Sequence, residues 1–133
     1  MWLIKSEPFK YSWDDLVKEG YTMWNGVRNY AARNNLRAMK VGDEAFFYHS
    51  NEGLEIVGIV QIIKEAYPDP TAEGDTWSVV DVAPLRKLKK PVTLLQMKAD
   101  NRLQNMQLIR LSRLSVAAIT EEEWKIIMEM AGE

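Results

Sequence analysis

Apolar residues along this chain follow two patterns, one typical of buried β-strands and one typical of amphipathic helices. The run from Ala45 to Tyr48 is apolar at consecutive positions, which predicts a central strand covered on both faces. A stretch rich in Val and Ile follows, and its Gly58 predicts a bulge or a close approach to the backbone. Pro84 is expected to end the next strand. The predicted strands cover 2–5, 45–49, 55–65, 77–83 and 114–117, with a basic connector at 85–91.

Cap residues and helical periodicity predict four helices. Ser12 and Asp15 have the spacing of a capping box, and Gly20 is suited to end the helix that they open. A second helix is predicted over 29–39, where apolar residues share one face and the adjacent asparagines at 34–35 predict a specific hydrogen-bond partner. Two further helices are predicted to begin after Thr93 and after Thr120.

This order of elements predicts the fold class. The strands are too few and too consecutive in the chain for a doubly wound sheet, so we expect an α+β domain: a small mixed β-barrel flanked by helices. At 133 residues, with 47% hydrophobic and 27% charged residues, the chain is expected to form a single domain over 1–133 with one core.

Composition excludes several classes of function. The chain has no cysteine and one histidine, His49, so we predict no disulfide, no metal site and no cofactor. No apolar stretch approaches the length of a membrane span, and the expected location is cytoplasmic, or nuclear in a eukaryote. Catalytic motifs are absent. Ser6 could approach His49 as a nucleophile approaches a base, but a histidine hydrogen-bonded inside a pocket is favoured, so no enzymatic activity is predicted.

Charge is unevenly distributed along the chain, although the net charge is only −2. Residues 1–40 and 86–113 are basic, whereas 41–85 and 114–133 are acidic. The basic blocks either form one positive face or are separate solvated surfaces, and charge alone favours the second alternative. With the candidate site taken into account, we expect the blocks to converge, with Arg28, Arg33 or Arg37 sharing a face with Arg110 or Arg113 and the acidic segment 51–75 mostly on the far side.

Residues 22–37 contain one tryptophan, four asparagines and three arginines. These side chains suit a planar, hydrogen-bonding group such as a nucleobase. Trp24 and Arg28 precede a predicted helix N-terminus, where an anion is favoured. An equally good alternative from spacing alone places Trp24 in the core and Arg28 on the surface.

Eight segments along the chain resemble the EVE domain family, of the thymocyte nuclear protein 1-like type. The matching segments are WLIKSEP (2–8), YSWDDL (11–16), WNGVRNY (24–30), ARNNLRAMK (32–40), FFYHSN (46–51), KEAYPD (64–69), WSVVDV (77–82) and SRLSV (112–116). The resemblance implies a PUA-like fold, related to the YTH readers of methylated adenine. It also implies a monomer that reads a modified base, either modified cytosine in DNA or a modified base in RNA, without chemical conversion. The alternative is a PUA-like domain that binds or hydrolyses a free nucleoside or nucleotide.

The resemblance also implies which residues would hold such a base. The predicted base pocket comprises Lys5, Ser6, Glu7, Trp24, Asn25, Val27, His49, Ser50 and Trp77. The predicted phosphate contacts are Arg28, Arg33, Arg37, Arg110 and Arg113.

Overall fold

The computed structural model describes residues 1–133 and contains six strands and five helices. The strands are β1 (Trp2–Ser6), β2 (Thr22–Met23), β3 (Glu44–His49), β4 (Glu55–Pro68), β5 (Ser78–Thr93) and β6 (Val116–Ala118). The helices are α1 (Trp13–Glu19), α2 (Tyr30–Ala38), α3 (Leu94–Ala99), α4 (Gln107–Arg110) and α5 (Glu121–Met130), with a 3₁₀ turn at Asn101–Leu103. No helix is long and apolar enough to cross a membrane.

The strands form one mixed sheet in the order β2-β5-β4-β3-β1-β6. Strands β1 and β3 pair in parallel, and every other pair is antiparallel. The predicted α+β class is confirmed. The predicted barrel is not closed by strand pairing, because the two outer strands, β2 and β6, are only two and three residues long and each pairs on one side.

Strand β5 runs through Pro84 instead of ending there, so the prediction of a separate basic connector at 85–91 is wrong. The pairing of β4 with β5 shifts register at this point, since Ile59 lies opposite Arg86 whereas Val60 lies opposite Pro84. Leu85 is therefore an extra residue on β5, as in a β-bulge, and a bulge is a position where a strand tolerates proline. Strand β4 likewise extends beyond its predicted end, to Pro68.

The cap residues identified in the sequence agree with the observed helix ends. The Ser12 side chain accepts from the Asp15 N–H while the Asp15 carboxylate accepts from the Ser12 N–H, and Gly20 ends α1 in the left-handed conformation. Asn29 is the N-cap of α2. The predicted partner for the asparagine pair is also present, because the Asn35 side-chain amide donates to the Val116 carbonyl of β6 at 2.8 Å. The sequence reasoning missed only short elements: β2, the 3₁₀ turn and α4.

The core lies on both faces of β3, as its apolar pattern predicts. Phe46 stacks on Trp124 of α5, with ring centroids 3.8 Å apart, whereas Phe47 meets the Trp13 ring of α1 edge-on at 5.5 Å. Trp13 packs directly over Gly58 of β4, where a Cβ would lie 2.6 Å from the indole ring. Gly58 therefore marks both a register shift and a close approach, as predicted. This contact fixes α1, and with it the loop that precedes α1, against the sheet.

Candidate functional site

A cavity of about 440 Å³ opens between the end of β1 and the segment that joins β2 to α2. Its volume falls within the roughly 300–1,000 Å³ typical of sites that hold a small ligand. Seven of the predicted site residues line it: Lys5, Ser6, Glu7, Trp24, Asn25, Val27 and Arg28. Six residues that the sequence reasoning did not assign complete the lining: Lys10, Tyr11, Thr22, Met23, Gly26 and Ser115.

Trp24 forms an aromatic part of the cavity wall in a fixed orientation. The residue is only 9% exposed, and its ring meets Phe47 at 5.7 Å and Tyr11 at 6.3 Å, both edge-on. Its backbone N–H donates to the Val80 carbonyl at 2.8 Å, which ties it to β5. Spacing alone left open whether Trp24 belongs to a binding site or to the core. The structure places it in both, since Trp24 packs in the core and also lines the cavity.

Polar groups around the cavity are held by hydrogen bonds within the protein. The Glu7 carboxylate accepts from the Asn51 side-chain amide at 2.8 Å and pairs with Lys10 at 3.2 Å. A carboxylate has about four acceptor positions, so Glu7 can still accept from a ligand. Asn25 is exposed at the cavity and offers both a donor and an acceptor.

The end of β1 is fixed by two contacts of its last residues. The Lys5 ammonium donates to the Ser112 carbonyl at 2.9 Å, and burial lowers the pKa of Lys5. The Ser6 hydroxyl donates to the Tyr11 carbonyl, which closes the loop before α1. The Lys5 N–H also donates to the Ser115 carbonyl, a long-range contact that brings Ser115 to the cavity and that the sequence did not indicate.

Asp69 joins the cavity wall to the hairpin loop between β4 and β5. One of its carboxylate oxygens accepts from the Gly26 N–H at 3.0 Å and from the Arg28 guanidinium at 2.9 Å. The other accepts from the N–H and the hydroxyl of Thr71. Burial by itself would raise the pKa of Asp69, but these donors outweigh it and hold the pKa well below its usual range. The segment 25–28 therefore depends on a buried carboxylate from a distant part of the chain.

His49 and Ser50, both predicted in the pocket, do not line the cavity. His49 Nε2 accepts from the Trp13 N–H at 3.2 Å, and burial lowers the pKa of His49. The Ser50 N–H donates to the Ser6 carbonyl at 2.9 Å. Ser6 and His49 are register partners in the sheet, yet the Ser6 hydroxyl donates to Tyr11 rather than to the imidazole. His49 and Ser50 therefore lie outside the lining, and Ser50 contacts the lining residue Ser6.

Trp77 also lies outside the cavity lining, beside it on the surface. Its ring packs against Tyr30, with centroids 5.0 Å apart and planes inclined by 33°. The Arg28 guanidinium lies 5.8 Å from the Trp77 ring centroid. Trp77 is therefore a neighbour of the lining residue Arg28 but not itself part of the lining, and its partner Tyr30 was not predicted.

The predicted phosphate-binding arginines occupy different environments. Arg28 lines the cavity, and Arg113 lines a second cavity of about 370 Å³ next to the start of α2. Arg33 and Arg37 instead donate to backbone carbonyls of the hairpin loop, and Arg110 donates to the Asn105 side chain. The expectation that segment 51–75 lies on the far side is wrong for its last part, because Asp69 and the Asp75 carbonyl contact these arginines.

Comparison with known proteins identifies the family. A model of the EVE domain matches residues 1–130. Thymocyte nuclear protein 1 of Gallus gallus is 40% identical in an alignment that covers 99% of this chain and 69% of that protein. The crystal structure of a protein from Agrobacterium tumefaciens has a TM-score of 0.96 at 51% identity, covering 98% of this chain and 92% of that one. The crystal structure of the human THYN1 protein, in complex with DNA that contains 5-methylcytosine, has a TM-score of 0.92 at 38% identity, covering 99% of this chain and 97% of that one. This chain belongs to the EVE domain family.

Proposed function

We propose that this EVE domain is a non-enzymatic module that holds a modified nucleobase, taken out of its stack, in the cavity at the end of β1. The observation that carries the proposal is the meeting of an oriented indole, a carboxylate, an amide and a guanidinium around one opening of about 440 Å³. The human THYN1 structure in complex with 5-methylcytosine DNA supports modified cytosine in DNA as the first ligand to test.

Each group of the cavity has a role in this proposal. Trp24 stacks on the base, a contact worth about 1–3 kcal/mol. Glu7 accepts from the exocyclic amine, as expected for cytosine N4. Asn25 and Ser6 contact the remaining edge of the base. Flipping a base out of a duplex costs a few kcal/mol, and contacts of this kind offset that cost.

The cations beside the cavity are suited to the flanking phosphates. Lys10 and Arg28 line the cavity, and Arg113 lines the neighbouring one. Phosphate contacts fix the position of a strand without reading its sequence. Arg33, Arg37 and Arg110 remain proposals for this role, and the hydrogen bonds of Arg33 and Arg37 to the hairpin loop favour Arg113 over them. Arg28 is also bonded to this loop, through Asp69, but it lines the cavity. We further propose that the protein acts as a monomer over its single domain, 1–133, in the cytoplasm or in a eukaryotic nucleus.

The deciding experiment is equilibrium binding to matched oligonucleotides, single- and double-stranded, in DNA and RNA, with cytosine or 5-methylcytosine at one position. The proposal expects tighter binding to the modified strand than to the unmodified strand at the same salt concentration. Equal affinity for a free modified nucleoside and for the oligonucleotide that contains it would favour the small-molecule alternative instead.

Replacing Trp24 with leucine is expected to weaken binding of the modified strand by about 1–3 kcal/mol, because the stacking face is lost. Trp124→Leu is the matched control, since Trp124 is 8% exposed and Trp24 is 9% exposed, and Trp124 packs on Phe46 outside the cavity lining. Both substitutions remove a buried indole, so urea denaturation is expected to give similar losses of stability. A Trp124→Leu protein that loses as much affinity would contradict the assignment of Trp24 to base stacking.

Glu7→Gln is expected to reduce the preference for cytosine-type bases over uracil-type bases by about 1 kcal/mol, because an acceptor aimed at an amine is lost. The measurement compares affinities for two strands that differ only in that base. Glu52→Gln, an exposed change outside the cavity lining, is the control. An unchanged preference in the Glu7 variant would remove Glu7 from base reading.

A further inference from the structure

Four planar side chains beside the cavity form a series of neighbouring groups. The Arg33 guanidinium lies 4.8 Å from the Tyr30 ring centroid, Tyr30 lies 5.0 Å from Trp77, and Trp77 lies 5.8 Å from the Arg28 guanidinium. We call Arg33, Tyr30, Trp77 and Arg28 the aromatic ladder. Arg28, at one end of the ladder, also lines the cavity, so the ladder adjoins the cavity at that residue.

The ladder is held in place by bonds that converge on both sides of Trp77. Arg37 donates to the carbonyls of Asp75 and Thr76 and to the Ser78 hydroxyl, and Arg33 donates to the Thr76 carbonyl. The Asp69 N–H donates to the Trp77 carbonyl at 2.8 Å, closing the hairpin loop. The backbone on both sides of Trp77 is therefore held by hydrogen bonds within the protein, and the Trp77 ring packs against Tyr30.

Core packing does not explain the ladder, because its rings lie at the surface. Tyr30 is 61% exposed, and Trp77 is partly exposed and is not part of the buried core. Two aromatic rings flanked by two guanidinium groups form a surface with apolar ring faces and a planar cation at each end. Bases stack on such surfaces with little dependence on their identity, and arginine adds a cation–π contribution.

We propose that the aromatic ladder binds the base adjacent to the flipped base in the same strand. This inference rests on the proposed function of the cavity. A flipped base leaves its neighbour without a stacking partner on one side, and an exposed ring next to the cavity replaces that partner. Arg28 faces both spaces, so one guanidinium separates the two base sites. In this arrangement Arg37, which bonds to the residues on both sides of Trp77, positions the ladder.

The test is a double-mutant cycle between protein and nucleic acid. Wild type and Tyr30→Ala are titrated with a strand that contains the modified base, and with two strands that carry an abasic site on its 5′ or its 3′ side. Tyr30→Ala is expected to weaken binding of the intact strand about five-fold or more. With the abasic site on one of the two sides, that difference between the proteins is expected to disappear. An abasic neighbour also eases flipping, and the comparison between proteins cancels this effect.

Two further variants separate the ring from other effects of the substitution. Tyr30→Phe keeps the ring and is expected to bind as wild type does. Tyr21→Ala removes a tyrosine that is also 61% exposed but is not part of the ladder, and it is expected to leave affinity unchanged.

The outcomes distinguish the ladder from the cavity. Equal losses for Tyr30→Ala on the intact and both abasic strands, or no loss on any strand, would overturn the ladder proposal while leaving the preference for the modified base intact. If wild type lacks that preference, the proposed function of the cavity fails, and a coupling between Tyr30 and the neighbouring base would still be measurable.

Discussion

Replacing Asp69 with asparagine is expected to lower the free energy of unfolding by about 3 kcal/mol at pH 7, because a buried carboxylate that holds an arginine is lost. Asp69 is 1% exposed and accepts four hydrogen bonds through its two oxygens. The single oxygen of asparagine can still accept from Thr71. Its amide nitrogen then faces the Gly26 N–H and the Arg28 guanidinium, so donors oppose donors. Urea denaturation measures the loss.

The pH dependence of this loss follows from the sign of the pKa shift. Asp69 has a lowered pKa in the folded protein, so its stabilising contribution is complete above the unfolded value of about 3.9 and declines as pH falls below it. Below pH 4, the difference in stability between wild type and Asp69→Asn is expected to shrink by about 1.4 kcal/mol per pH unit. A difference that stays constant down to pH 3 would contradict a lowered pKa.

Asp100→Asn is the matched control for Asp69→Asn. Asp100 also accepts from a backbone N–H and from an arginine, Arg102, but its side chain is partly exposed. We expect Asp100→Asn to lose less stability than Asp69→Asn and to bind the modified strand as wild type does.

Asp69→Asn is also expected to weaken binding of the modified strand, because the segment 25–28 loses the acceptor that fixes it.

Local signals accounted for most of the secondary structure. The capping pairs Ser12–Asp15 and Thr120–Glu123 define helix starts within four residues, so the sequence contains everything that the prediction needs. The course of β5 past Pro84 depends instead on the register of β4 opposite it, where a bulge accommodates the proline. The register between two strands, which sets Val60 opposite Pro84, is not encoded in the local pattern around the proline.

The same difference between local signals and long-range contacts decides which residues of the candidate site could be predicted. Trp24 and Arg28 were candidates because they precede a helix start and Asn25 because of the family resemblance, and all three line the cavity. The role of Asp69 was missed, because its partners Gly26 and Arg28 are more than forty positions away. His49 was predicted as a histidine hydrogen-bonded inside the pocket, but it lies outside the lining, where its Nε2 accepts from the start of α1. Only the packing of α1 on the sheet decides that contact.

Gly58→Ala is expected to destabilise the protein by about 3 kcal/mol, the upper end of the range for overpacking. An added Cβ would lie 2.6 Å from two atoms of the Trp13 ring, and Trp13 is a rigid side chain that is 4% exposed. Either the ring or the strand must therefore move. Thermal and urea denaturation measure the effect, and wild-type stability in this variant would show that Trp13 does not pack on Gly58.

The substitution is also expected to weaken binding of the modified strand, although Gly58 does not line the cavity. Trp13 begins α1, and the preceding loop places Tyr11 against Trp24. A displaced Trp13 would shift that loop and release the edge of the Trp24 ring. The matched test is a double-mutant cycle with Trp13→Phe, whose smaller ring leaves room for the Cβ. Since the two residues touch, the double variant is expected to be less destabilised than the sum of the single variants, and simple additivity would disprove the contact.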